Sequence, residues 1–122
     1  MRQLRVVLIE DDAALNDGLA LSLAKSGYIV HSFLTTEEFE MALLQPADIY
    51  LLDKQLPGID GVELCKRLKS HTLTSGIPVI IMSASPDAAY YTKQAGGDAF
   101  LEKPFTRKQL LEIMLQLLNK GS

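Results

Sequence analysis

Four short apolar runs in this chain each end on a residue able to do chemistry. Val6-Val7-Leu8-Ile9 leads into Glu10-Asp11-Asp12, Ile49-Tyr50-Leu51-Leu52 into Asp53, Val79-Ile80-Ile81-Met82 into Ser83, and Ala99-Phe100-Leu101-Glu102 into Lys103. Carboxylates gathered at close quarters repel, so such a group either holds a proton at an unusual pH or binds a cation. Ligands that are all oxygen suit a hard ion such as Mg²⁺ better than a transition metal. An ammonium and a hydroxyl beside them would supply a counter-charge and a hydrogen bond to an anion. A single acid after a strand is ordinarily a helix cap, and Asp12 is read that way. The coincidence at four strand ends is what points to a site.

Those residues need elements that bring them together. Leu15, Leu19 and Leu23 recur at spacings of four, one apolar face of a helix after the first strand. Gly27 punctuates, Tyr28 to Phe33 reads as a second strand, and Thr35-Thr36-Glu37-Glu38 offers a capping box for a helix with Phe39, Ala42 and Leu43 inward, closed by Pro46. Beyond Asp53, a Leu56-Pro57-Gly58 turn precedes a helical stripe of Gly61, Leu64, Cys65 and Leu68. Ser85-Pro86 reads as an N-cap followed by proline at the first helical position, and Gly96-Gly97 as that helix's end. Thr106 with Gln109 makes a last capping box ahead of Leu110, Ile113, Met114, Leu117 and Leu118. Strands alternating with helices, the central strands apolar throughout, predict a parallel sheet covered on both faces. Ligands of such sheets sit outside the carboxyl ends of the strands, where the four runs stop.

Composition narrows the partners. A chain of 122 residues, 48% of them hydrophobic, has the size of one domain with one core. A formal charge of -3 and a pI near 5.3 leave no basic footprint, so direct nucleic-acid binding by this segment is not expected. Cys65 is the single cysteine, which excludes an internal disulfide and suggests a reduced, cytoplasmic setting. The apolar runs are far shorter than the roughly twenty residues of a membrane span, so a soluble protein with no membrane partner is expected. The reading places one domain over residues 1–120 and treats Gly121-Ser122 as a linker stub or expression remnant.

The acidic Glu10-Asp11, the segment Leu52-Asp53-Lys54-Gln55-Leu56-Pro57-Gly58-Ile59-Asp60-Gly61, the pair Ser83-Ala84 and Lys103-Pro104-Phe105 together resemble the receiver-domain signature of two-component response regulators, over nearly the whole chain. The resemblance implies a flavodoxin-like (βα)5 fold with a parallel sheet of order 2-1-3-4-5. It implies that Asp53 accepts a phosphoryl group from a phosphohistidine of a sensor histidine kinase or histidine phosphotransfer protein. Mg²⁺ would then be held by Asp11, Asp53 and the Gln55 backbone carbonyl, with Glu10 acting through a water. Lys103 would pair with a phosphoryl oxygen. Ser83 would donate to another only after transfer, with Phe100 turning inward as the second element of the switch. A cis peptide before Pro104 and a homodimer through the fourth helix, fifth strand and fifth helix are further expectations from the resemblance.

Two features depart from that pattern. Lys54 stands where relatives more often carry an apolar or aromatic residue, and the stretch from Ser83 to Lys103 is shorter by roughly two residues, which implies a clipped loop or a shortened fourth helix. The alternative function is a pseudo-receiver, an interaction module independent of phosphate, whose sign would be a lost acid, acceptor or lysine. A flavin-binding flavodoxin would need a Ser/Thr/Gly-rich loop where Glu10-Asp11-Asp12 stands, and an aspartate-nucleophile phosphatase a second acid at Gln55. Neither is met. His31 and His71 are read as surface or strand-end residues, Cys65 as core, and Tyr90-Tyr91 as one packed and one half-exposed ring on the fourth helix.

Overall fold

The computed structural model describes residues 2–42 and 46–119. In chain order the elements are β1 (Arg5–Ile9), α1 (Ala13–Lys25), β2 (Ile29–Phe33), α2 (Thr36–Met41), β3 (Ile49–Asp53), α3 (Gly61–Ser70), β4 (Val79–Ser83), α4 (Ala88–Gln94), β5 (Ala99–Glu102) and α5 (Arg107–Asn119). All strands pair in parallel in the order β2-β1-β3-β4-β5. Right-handed crossovers carry the chain outward to β2 and then back past β1, which puts helices on both faces. Val6, Leu8, Ile49, Leu51, Ile80 and Met82 pack against Leu19 and Leu23 of α1 and Leu110 and Met114 of α5. The alternate residues Val7, Ile9, Tyr50, Leu52, Val79 and Ile81 pack against Phe39, Leu64, Cys65 and Leu68. Burial on both sides is why β3 and β4 are buried at every position.

The helix starts follow mostly from side-chain caps. Asp12 accepts from the Leu15 N–H at 3.0 Å and Asp60 from the Glu63 N–H at 2.9 Å. Thr106 and Gln109 form a reciprocal box, each side chain accepting from the other's backbone N–H, at 3.1 and 2.8 Å. At α2 the box is half formed: Thr35 accepts from Glu38 N–H, but the Glu38 carboxylate takes the Leu34 N–H instead of that of Thr35. Leu43 of that helix's expected stripe lies outside the described residues, as do Lys120, Gly121 and Ser122.

Three expectations are corrected. Ser85-Pro86 does not cap α4: Ser85 directs its hydroxyl to Asp87 and its N–H to Ser83 Oγ, and a turn of i→i+3 bonds delays the regular helix to Ala88. Tyr90 and Tyr91 are both exposed, at 63% and 49%, because α4 turns Ala88 and Thr92 inward; the two rings pack edge to face, 5.3 Å apart. His31 sits mid-strand in β2 opposite Val7, half-buried. His71 is exposed at the end of α3 and Cys65 is fully buried, both as expected.

Gly61 fixes how α3 approaches β3. A Cβ there would overlap the Asp53 backbone carbonyl, while one on Gly18, mid-α1, would meet nothing. Gly61→Ala should therefore destabilise the fold by about 1–3 kcal/mol, and Gly18→Ala should stabilise it by about 0.5–1 kcal/mol. Urea unfolding of both variants gives the two signs directly, and a neutral Gly61→Ala would contradict the close approach.

Candidate functional site

The sheet order reverses between β1 and β3, and the crevice at their carboxyl ends is the place where such a sheet binds ligands. Ile9 is in register with Leu52, and Asp53 with Met82, so Glu10 and Asp53 emerge side by side at that crevice. One oxygen from each of Glu10, Asp11 and Asp53 lies within 4.8 Å of the others. Glu10 and Asp53 are 0% and 3% exposed, whereas Asp11 faces solvent. Lys103 reaches both buried acids, its Nζ 2.7 Å from Glu10 Oε1 and 3.3 Å from Asp53 Oδ1. It arrives from beyond β5, where its own N–H bonds to Ser83 O at 2.8 Å and the following Lys103-Pro104 peptide is cis, as expected.

Asp53 forms the floor of an open cleft of about 430 Å³ whose walls are Gln55, Ser83, Ala84, Ser85 and Lys103. Ser83 is buried, and its Oγ accepts from the Ser85 N–H at 3.1 Å, so the hydroxyl hydrogen remains available to an acceptor in the cleft. The Gln55 N–H lies 3.4 Å from Asp53 Oδ1. Phe100 is half-buried on β5, beside Ile81, and belongs to neither apolar cluster. Lys54 does not line the cleft; its backbone N–H donates to Met82 O and its carbonyl accepts from the Gly61 N–H. The Ser83–Lys103 stretch contains a seven-residue α4.

The electrostatics are unbalanced toward the negative. Burial, then the Glu10 carboxylate beside it, push Asp53 up from 3.8 to about 7, with Lys103 pulling the other way. Burial works against the Lys103 ammonium, but Glu10 and Asp53 outweigh it and raise its pKa. Three carboxylates against one ammonium, with oxygens grouped this closely, fit a hard divalent cation. Two contributors escaped sequence reasoning. Asn16 is 3% exposed and ties down the Glu10 turn; its signal was a polar residue one position past Leu15 on the apolar face of α1. Ser85 enters the cleft wall, unseen because Ser85-Pro86 read as a cap.

Comparison with known proteins gives a consistent picture. A family profile described as "Response regulator receiver domain" matches residues 6–115. The chain is 32% identical over 119 residues to the transcriptional regulatory protein GltR of Pseudomonas aeruginosa, covering 95% of this chain and 49% of that protein. It is 29% identical to the phosphate regulon transcriptional regulatory protein PhoB of Rhizobium meliloti, covering 96% and 53%. The chain thus spans about half the length of the curated relatives it matches. Among solved structures, a CheY-like response regulator receiver domain protein from Methanospirillum hungatei superposes with a TM-score of 0.87 at 28% identity, covering 98% of this chain and 96% of that one.

The Asp53 carboxyl sets a pH signature. Its folded pKa of about 7 exceeds the ordinary 3.8, so without a divalent cation the contribution of Asp53 to stability is fully present below about pH 4 and is lost as pH rises through 7. Asp53→Asn carries no such charge. In chelator at about pH 8 it should melt higher than wild type by on the order of 5 °C, and the two melting curves should converge near pH 4. A difference that ignores pH would contradict the cause assigned.

Proposed function

This chain belongs to the response regulator receiver domain family, and on that premise we propose that it is a phosphoryl-dependent switch whose acceptor is Asp53. The observation that carries this is the juxtaposition at the crevice: a buried carboxylate at the floor of an open cleft, an ammonium 3.3 Å away and two further acids alongside. The phosphorus–nitrogen bond of a phosphohistidine on a sensor histidine kinase or phosphotransfer protein breaks as an Asp53 oxygen bonds to phosphorus, and the electron pair leaves on the imidazole. In its ionised form Asp53 is the group that attacks. Lys103 holds its charge because two acids face it, and it meets the charge that arrives on the phosphoryl oxygens.

Asp11, Asp53 and the Gln55 backbone carbonyl would hold Mg²⁺, with Glu10 acting through a water. When bound, the ion neutralises charge on the phosphoryl oxygens and offsets the repulsion among the carboxylates. Ser83 then acts through its free hydroxyl hydrogen. Donating it to a phosphoryl oxygen draws Ser83 into the cleft and away from Ser85, and that strain passes to the turn before α4 and to Phe100. Two states with different contacts are what a switch requires. The family is regulatory rather than enzymatic, and the chain's own chemistry is limited to assisting its phosphoryl transfer and dephosphorylation. A homodimer through α4, β5 and α5, with the exposed Tyr90 and Tyr91 on that side, is the proposed output contact. Residues 1–120 act as one receiver unit in the cytoplasm; no helix among the described residues is long and apolar enough to cross a membrane. The pseudo-receiver alternative has no support in the site, where Lys103 joins Glu10 and Asp53 and Asp11 stands alongside them.

Acetyl phosphate with Mg²⁺ should add one acid-stable, base-labile phosphoryl group, read by intact mass, and Asp53→Asn should abolish it. Ser83→Ala should still be labelled, yet with beryllofluoride its NMR shifts should shrink to residues touching the cleft, where wild type responds from Ala84 through Phe105. Full labelling of Asp53→Asn at another residue would move the acceptor. A full response in Ser83→Ala would remove the hydroxyl from the mechanism.

A further inference from the structure

The acids of the crevice stand on a turn that something must hold. Glu10 and Asp11 bridge the end of β1 and the Asp12 cap of α1, two residues of irregular backbone with like charges. Asn16, in the first turn of α1, is almost completely buried there. Its Nδ2 donates to Glu10 O at 3.0 Å and to Phe33 O at 2.9 Å, and Phe33 O also accepts the Glu10 N–H at 3.1 Å. One carboxamide thus joins the ends of β1 and β2 to the start of α1. The amide orientation is set by its surroundings, since both neighbours are carbonyl oxygens and only the NH₂ end satisfies them.

Resting on the acceptor-site reading above, we infer that Asn16 is the positioning residue for cation binding: by holding the Glu10 carbonyl it fixes the Glu10–Asp11 peptide plane and so the direction in which Asp11 presents its carboxylate. Asn16 touches neither the cation nor the phosphoryl group. Glu10 is held from the other side too, its Oε2 accepting from the Asp12 N–H at 3.2 Å and its Oε1 taking Lys103, so the turn is pinned on each flank, and among the described residues the carboxamide is what fixes its backbone oxygen. Groups of this kind, bonded to ligand-bearing backbone rather than to metal, typically tune affinity by roughly 10–100-fold. Leu19, one turn further along α1, serves the apolar core and has no such link.

The test is a MgCl₂ titration of the full chain followed by amide NMR at Asp11 and Asp53. Asn16→Leu keeps the branched shape, at a somewhat larger volume, and removes both donors, so Mg²⁺ affinity should fall by roughly tenfold. Leu19→Ala, a core cavity on the same helix, should lower the melting temperature yet leave affinity within about twofold of wild type. In the unsubstituted protein the Asn16 carboxamide resonances should shift with the same midpoint as Asp11, a measurement that needs no variant to fold. Asn16→Leu binding within about twofold of wild type overturns the inference, as do carboxamide resonances that ignore the titration. A wild type in which Asp11 and Asp53 themselves do not respond overturns it together with the acceptor-site reading beneath, and the unsubstituted protein alone reveals that case.

Discussion

The ammonium of Lys103 between Glu10 and Asp53 is the interaction on which the remainder depends. Two carboxylates buried among apolar strands would each carry a large desolvation penalty, and one ammonium compensates them only in part. The deficit is left in Asp53, whose carboxyl resists ionisation. A site short of positive charge is suited to a divalent cation, which would let Asp53 stand ionised as the proposed phosphoryl transfer requires.

The fold makes that arrangement possible by meeting every strand at its carboxyl end. Parallel pairing aligns the chain direction of all five strands, so residues far apart in sequence, Glu10 and Lys103 among them, arrive on one edge. Local devices refine the edge. Gly61 lets α3 start against the Asp53 carbonyl, Asn16 ties down the acidic turn, and the Lys103 N–H anchors to Ser83 O. Ser83 is therefore tied by its carbonyl to the lysine strand and by its hydroxyl to the turn before α4. In the proposed switch, a pull on the hydroxyl would be felt on both sides.

Much of this was legible in the sequence because it rests on local rules. Apolar runs of strand length marked the ends where chemistry collects, and Asp12, Thr106 and Gln109 announced the caps they form. The resemblance added the sheet order and the cis Lys103-Pro104 peptide, both found. What was missed depends on tertiary approach. Ser85-Pro86 has the composition of a cap, but Ser85 is recruited by Ser83 and Asp87, and no local pattern encodes that competition. Tyr90 and Tyr91 point outward because the inward face of α4 is the one that carries Ala88 and Thr92. Asn16 sat on an apolar stripe as an apparent blemish, and its partners lie on two strands that periodicity alone does not bring together.

The central claim is that Asp53 is held against ionisation by burial and then by Glu10 beside it, and that a divalent cation would release it. Carbon-13 NMR of the Asp53 side-chain carboxyl, titrated with and without saturating Mg²⁺, reads it directly. The account predicts a midpoint near 7 in chelator and a fall toward or below the ordinary carboxylate range once Mg²⁺ is bound. A midpoint near the ordinary value of 3.8 in chelator, unmoved by Mg²⁺, would contradict it.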